Sequence, residues 1–275
     1  MAREMTGDDY LLGTDTAEEA RLGFQHRVWA SKTTELWDDA GFGLGDTVLD
    51  LGCGPGFASL DLAYLVGPRG RVLAIDGSQR YLASLERMRD ALGLAQIETR
   101  HAELHALELE PAGLDGAFAR WVLCFLAEPE RVVANVARAL KPGASFVVLD
   151  YYRYGLMALS PRSRAMERVA AAVEESWRRA GGSLDVGGDV RAMFERHGLD
   201  CAPPRGGPRA AKPGSALWQW PRLFFRTYLP KLVEMGLITH ADADEFERDF
   251  DAREREPGAF FLTPPVWGFV GRKRS

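Results

Sequence analysis

Hydrophobic positions along this chain recur with two periods. Short segments at 71–75, 96–100, 117–126 and 145–151, bounded by turn formers, read as strands of a buried sheet. Between them, 57–66, closed by Gly67-Pro68, and 78–92, closed by Gly93, read as helices, and Pro129 stands at the favoured first position of another. Strand and helix alternating at this spacing predict a parallel sheet joined by right-handed crossovers. Ligands of such sheets bind at the carboxyl ends of the strands, which makes Asp50, Asp76, Ala102, Arg120 and Tyr151 neighbours in space.

The flanks add helices. Thr16-Ala17-Glu18-Glu19 reads as a capping box opening a helix to about Ala40, with Ala20, Phe24 and Val28 on its apolar stripe. Beyond the core, Ser160-Pro161 opens a helix to 180, a second covers 190–197, and the Pro- and Gly-rich stretch 203–214 surrounds a sixth strand. An aromatic helical stretch, Trp218 to Tyr228, is expected to stop at Pro230. Thr239 opens an acidic helix to about 256, and 260–270 forms a last strand, antiparallel to its neighbour. The expected architecture is α/β: a Rossmann-like, seven-stranded, mostly parallel sheet with helices on both faces and an added helical cap. Residues 1–46 would be an N-terminal cap segment, 47–152 the cofactor-binding core, and 153–275 the completion of the sheet with insertions over the substrate.

The chemistry concentrates where the first strand, ending at Asp50, breaks into a loop with Gly52, Gly54 and Gly56 ahead of Phe57. Glycine at alternate positions permits tight turns and removes the side chains between backbone and ligand. The following helix N-terminus presents unpaired N–H groups. The dinucleotide fingerprint would need glycine at 57, where Phe57 stands, and no G-K-[ST] follows any glycine to hold a triphosphate. Asp76 ends the next strand roughly 20 residues past the glycines, the position from which a nucleoside-binding unit accepts ribose hydroxyls. A nucleoside is the expected ligand.

Asp50, the GxGxG loop, Asp76, Ala102-Glu103 after the third strand and the Leu140-Lys141-Pro142-Gly143-Ala144 turn together resemble the S-adenosylmethionine-binding half of the class I methyltransferases, small-molecule type, over 47–151. The resemblance implies S-adenosyl-L-methionine as cofactor and S-adenosyl-L-homocysteine as product. It sets Gly52, Cys53 and Gly54 against the methionyl part and Asp50 near its ammonium. Asp76, with Gly77 and Ser78, falls at the ribose, and Ala102 and Glu103 at the adenine edge. Arg120 follows the fourth strand, whose carbonyl meets the amine in relatives. At His101 relatives often carry aspartate. Small-molecule relatives close an N-terminal helix over the cofactor, which makes Tyr10 and Gln25 candidates to touch it.

A sulfonium methyl is already activated, so catalysis can rest on alignment in a dry site. A hydroxyl acceptor needs its proton removed, and His26, Tyr151 and Tyr152 are the candidates for that role. Trp121, Tyr151 and Trp218 are candidates for substrate contact. His101 to His105 lacks the H-E-x-x-H order, and no metal is expected. Alternatives are a non-catalytic S-adenosylmethionine-binding module, a protein-directed methyltransferase, and an NAD-dependent oxidoreductase, which Phe57 disfavours. The amino-directed nucleic-acid methylases carry [DN]-P-P-[YFW] after the fourth strand, where this chain reads Ala119-Arg120-Trp121-Val122.

Composition narrows the partners. The 275 residues are 46% hydrophobic and 27% charged, ordinary for a globular protein. No apolar run of ~18 residues and no basic, apolar leader occurs, so neither a membrane span nor a signal peptide is expected. Cys53, Cys124 and Cys201 lie far apart, which suits a reducing cytoplasm. Net charge is -5 and the pI about 5.7, which argues against a nucleic-acid partner. A small-molecule substrate is the expected partner, with homodimerisation left open.

Overall fold

The structure is a computed structural model that describes residues 12–275. Its centre is a sheet in which β1 (Thr47–Leu51), β2 (Arg71–Asp76), β3 (Ile97–His101), β4 (Leu114–Arg120) and β5 (Leu140–Tyr151) run parallel in the order β3-β2-β1-β4-β5. Val48, Leu49, Val72, Ile75, Val147 and Val148 are wholly buried, because both faces of the sheet are covered. The covering helices include α1 (Thr16–Ala40), α2 (Phe57–Val66), α3 (Gln79–Leu92) and α4 (Pro129–Ala139). β1 has β2 on one side and β4 on the other, so the chain leaves β1 and β4 in opposite directions and opens a crevice at their carboxyl ends.

The sheet is larger than the seven strands expected. β6 (Ala158–Ser160) leaves it for a second sheet, and β7 (Leu199–Cys201) lies just before the stretch where a sixth strand was expected. Within 203–214 lie β8 (Arg205–Gly207) and β9 (Ala210–Ala211). The expected final strand is two: β10 (Phe260–Leu262), then a break at Thr263-Pro264-Pro265, then β11 (Val266–Lys273). Consecutive prolines carry no N–H to continue a ladder, so the chain changes sheet there. β11 runs antiparallel between β5 and β7, as expected, and also pairs β8, giving eight strands. β6, β10 and β9 form the second sheet, which packs with α5 (Arg164–Arg179) and α8 (His240–Glu254).

Other boundaries moved for identifiable reasons. The 117–126 segment is strand only to Arg120, where Trp121 takes φ 51° and turns the chain into a 3-10 turn. The Lys-Pro-Gly-Ala turn loops out inside β5: Leu140 pairs Leu114, Ser145 pairs Gly116, and Lys141 bonds Asp115 at 2.7 Å. Asp15, rather than Thr16, caps α1, its side chain accepting from Glu18 N–H at 2.8 Å. α5 starts after Ser163, which caps it, and α6 (Gly187–Arg196) begins earlier than expected. α7 (Ala216–Glu234) runs through Pro221 and Pro230. An interior proline costs ~3 kcal/mol, but burying each large apolar side chain returns about 1.5 to 3 kcal/mol, and Trp218, Phe225, Tyr228, Leu229 and Leu232 are all buried.

Candidate functional site

At the carboxyl end of β1 the loop turns on positive φ at Gly52 (61°), Gly54 (55°) and Gly56 (87°), but for different reasons. A Cβ on Gly52 would meet Val122 at 2.7 Å, and one on Gly56 would meet Leu85 at 2.3 Å, so these two serve close packing. At Gly54 a Cβ would meet nothing within 4 Å; its open face looks onto the crevice and leaves bare backbone for a ligand. The loop is held from the next strand. Asp76 at the end of β2 accepts from Gly54 N–H through Oδ2 and from Ser78 N–H through Oδ1, both at 2.8 Å. Burial pushes its carboxyl above the ordinary value, with the two N–H groups opposing.

Asp50 lies beneath the loop, its Oδ2 accepting from the Ser59 hydroxyl at 2.5 Å. Burial raises it to about 6 against the pull of Ser59 and Arg120. Arg120, at the end of β4, has no carboxylate within ion-pair distance among the described residues. It donates to Thr33 Oγ1 at 3.1 Å and to His26 Nδ1 at 3.0 Å, and its guanidinium carbon sits 5.5 Å from the Trp121 ring centroid. Burial lowers Arg120 to about 10, the attraction of Asp50 opposing. A buried cation next to a buried acid gives this end of the crevice polarity without a direct ion pair.

The crevice encloses about 480 Å³, within the range of small-molecule sites. Gln25, Asp50, Gly52, Cys53 and Gly54 line it from α1, β1 and the loop, and Asp76, Gly77 and Ser78 from the end of β2. Glu103, Arg120 and Trp121 complete that set. Ala102 is half-buried and does not line it; its backbone N–H bonds Asp76 O at 3.2 Å, holding β3 in register. Tyr10 falls outside the described residues.

The proposed acceptor-side residues scatter. His26 does not line the crevice: one ring nitrogen meets Arg120 and the other lies 3.1 Å from Asp61. Tyr152 is exposed and borders neither cavity. Trp218 is fully buried against Phe250, at ring centroids 4.9 Å apart, away from the crevice. Its position follows from helical spacing, which points it to the α7–α8 core. Tyr151 lines a smaller annex of about 50 Å³ that shares Gln25, Trp121 and Phe125 with the crevice. Gln25 Oε1 accepts from Trp220 Nε1 at 2.8 Å and from Arg21 at 3.0 Å, which ties α1 to α7 at this junction.

Sequence reasoning missed Phe57, Tyr81, His105 and Phe125 on the crevice and Tyr154 on the annex; Trp220 lay within the aromatic stretch 218–228, from which Trp218 was singled out for substrate contact. Tyr81 was accessible to it, three residues past the Ser78 cap in the first turn of α3. Tyr154 carried no signal, since a short 3-10 turn after β5 brings it in. Among the described residues no cluster of three or more His, Cys, Asp or Glu is arranged to hold a metal. No described helix is long and apolar enough to cross a membrane.

A family model described as a methyltransferase domain matches residues 44–197, which span the loop, the Asp76 clasp and β5. The chain belongs to the methyltransferase domain family. Among its relatives, the uncharacterized 37.1 kDa protein in transposon TN4556 of Streptomyces fradiae is 38% identical over 104 residues, 38% of this chain and 30% of that protein. Demethylmenaquinone methyltransferase of Bacillus cytotoxicus is 30% identical over 130 residues, 47% of this chain and 54% of that protein. The chain thus spans about half or less of the length of these two curated relatives. Phosphoethanolamine N-methyltransferase 2 of Haemonchus contortus, solved in complex with S-adenosyl-L-methionine, shares the fold: TM-score 0.56 at 15% identity, over 90% of this methyltransferase-family chain and 53% of that one. The methyl donor of the family is S-adenosylmethionine.

Proposed function

We propose that the protein transfers a methyl group from S-adenosyl-L-methionine to a small-molecule acceptor by in-line displacement. The observation that carries this is a single crevice holding bare backbone at Gly54, the Asp76 carboxylate and, beside them, an aromatic annex. When bound there, S-adenosylmethionine would supply a sulfonium-activated methyl group; the acceptor's lone pair would form the new bond as the S–C pair returns to sulfur, and the acceptor's own proton would pass to solvent. Asp76 keeps lone pairs beyond those given to Gly54 and Ser78, and these are assigned to the ribose hydroxyls, with Gly77 and Ser78 alongside. Gly52, Cys53 and Gly54 bound the methionyl part, Asp50 answers its ammonium, and Arg120 closes that end. Glu103 takes the adenine edge, with Ala102 bracing it through backbone. Gln25 sets α1 over the junction between crevice and annex.

Orientation and exclusion of water carry the catalysis in this reading. Both ring nitrogens of His26 are engaged, so its role is to hold Arg120 rather than to take a proton from the acceptor. Residues 47–152 form the cofactor-binding core, with 1–46 and 153–275 supplying cap and sheet completion. The three cysteines are unbridged, in keeping with a cytoplasmic setting.

The test is incubation of the purified protein with S-adenosylmethionine and fractionated small-molecule extract, with S-adenosylhomocysteine followed by mass spectrometry. Acceptor-dependent product supports the proposal. Tight cofactor binding with no product from any fraction would point to a binding module instead, and label incorporated into polypeptide to a protein-directed enzyme.

A further inference from the structure

The annex beside the crevice has more chemistry in its walls than packing requires. Eight aromatic rings line it. Trp121 lies nearly parallel to Trp220 (centroids 6.0 Å apart, planes at 27°), and Tyr151 meets Trp121 at 6.0 Å and 31°. Tyr154 stands edge-on to Tyr151 at 5.2 Å. These rings pack on one another and together present an aromatic wall against which a flat aromatic guest packs. Two polar groups in this wall are unspent. Among the described residues neither the Tyr151 nor the Tyr154 hydroxyl has a hydrogen-bond partner. Tyr154 is only 4% exposed. A hydroxyl that is both donor and acceptor and has no protein partner is free to bond a ligand oxygen.

Resting on the methyl-transfer reading above, we infer that the annex receives the oxygen-bearing edge of a neutral, planar aromatic acceptor, whose hydroxyl is held by Tyr154 and Tyr151. Charge supports neutrality. The one charged residue on the described lining is Arg21, which Glu18 engages through two bonds of 2.7 Å, and no carboxylate lines the annex to answer an ammonium. Size supports an edge rather than a whole molecule. About 50 Å³ admits a substituent, while the ring body lies toward the shared walls at Gln25, Trp121 and Phe125.

Equilibrium dialysis of the protein saturated with S-adenosylhomocysteine, against 2-naphthol and against naphthalene, tests this. The naphthol is expected to bind about 5- to 10-fold more tightly, the size of a net hydrogen bond. Tyr154→Phe should bring that ratio near one and leave naphthalene and S-adenosylhomocysteine affinities unchanged, which also shows the variant folds. Two results overturn the inference: an unchanged naphthol preference in both Tyr154→Phe and Tyr151→Phe, or tighter binding of trimethylphenylammonium than of naphthol. Failure of S-adenosylhomocysteine to bind would overturn the cofactor reading alone, and the naphthol comparison repeated without it would still decide the annex.

Discussion

Asp76 is the side chain whose removal most sharply separates ligand binding from loop structure. Its two oxygens accept from Gly54 and Ser78 N–H at 2.8 Å, and the proposal adds ribose hydroxyls to the same carboxylate. Asp76→Asn keeps one acceptor oxygen but turns an NH2 group toward the other N–H, so one loop bond is lost. A hydrogen bond to a charged partner contributes about 1.5 to 3 kcal/mol, so losing the ribose contacts alone should weaken S-adenosylhomocysteine binding roughly 10- to 150-fold. The free protein should lose less, since desolvation of Asp76 already offsets part of what its bonds contribute. Isothermal titration calorimetry gives the affinity, and thermal unfolding of the free variant gives the structural share. A lowered melting temperature with affinity within twofold of wild type would refute the ribose assignment and leave Asp76 as a brace for the loop.

Further outcomes follow from other parts of the site. Gly54→Ala should weaken cofactor binding by at least tenfold, with about 1 to 3 kcal/mol of stability lost to the positive φ, measurable by the same titration and by denaturant unfolding. Gly56→Ala, whose Cβ collides with Leu85, should instead show its main effect as lost stability. Asp150 is fully buried and raised to about 6 from an ordinary 3.8, so the folded state holds its proton more tightly than the unfolded chain. Its stabilising effect is full below about pH 4 and is lost as pH rises through 6, on the order of 3 kcal/mol. Asp150→Asn should flatten the fall in stability between pH 4 and 6, and an unchanged slope in unfolding experiments would contradict this. His26→Ala should lower cofactor affinity through Arg120 while leaving turnover at saturating cofactor within a few-fold; abolished turnover would restore His26 as a base.

The walls of the crevice were legible because their physics is local. A strand ending in Asp50, glycines at alternate positions and an acid at the end of the next strand fix a cradle within one βαβ unit; of the predicted cofactor residues that the structure describes, all but Ala102 line the crevice, and Tyr10 lies outside the described residues. The acceptor side was not legible because it is assembled from residues far apart in sequence. Trp121 and Trp220 stack across 99 positions, and the Gln25–Trp220 bond spans 195. Trp218 was singled out from the 218–228 aromatics for substrate contact, yet two residues along α7 turn Trp218 toward Phe250 and Trp220 toward the annex. Proline misled at Pro230, where burial of α7 outweighs the lost backbone bond, and was not weighed at Pro264-Pro265, where it divides one apolar stretch between two sheets.

The account turns on a nucleoside sulfonium lying between the Gly54 backbone and Asp76. A crystal structure of the protein grown with S-adenosylhomocysteine tests that most directly. The account predicts both ribose hydroxyls within hydrogen-bonding distance of Asp76 and the sulfur directed toward Trp121 and the annex. Product cofactor bound elsewhere, or a crevice closed by the protein's own side chains, would contradict it.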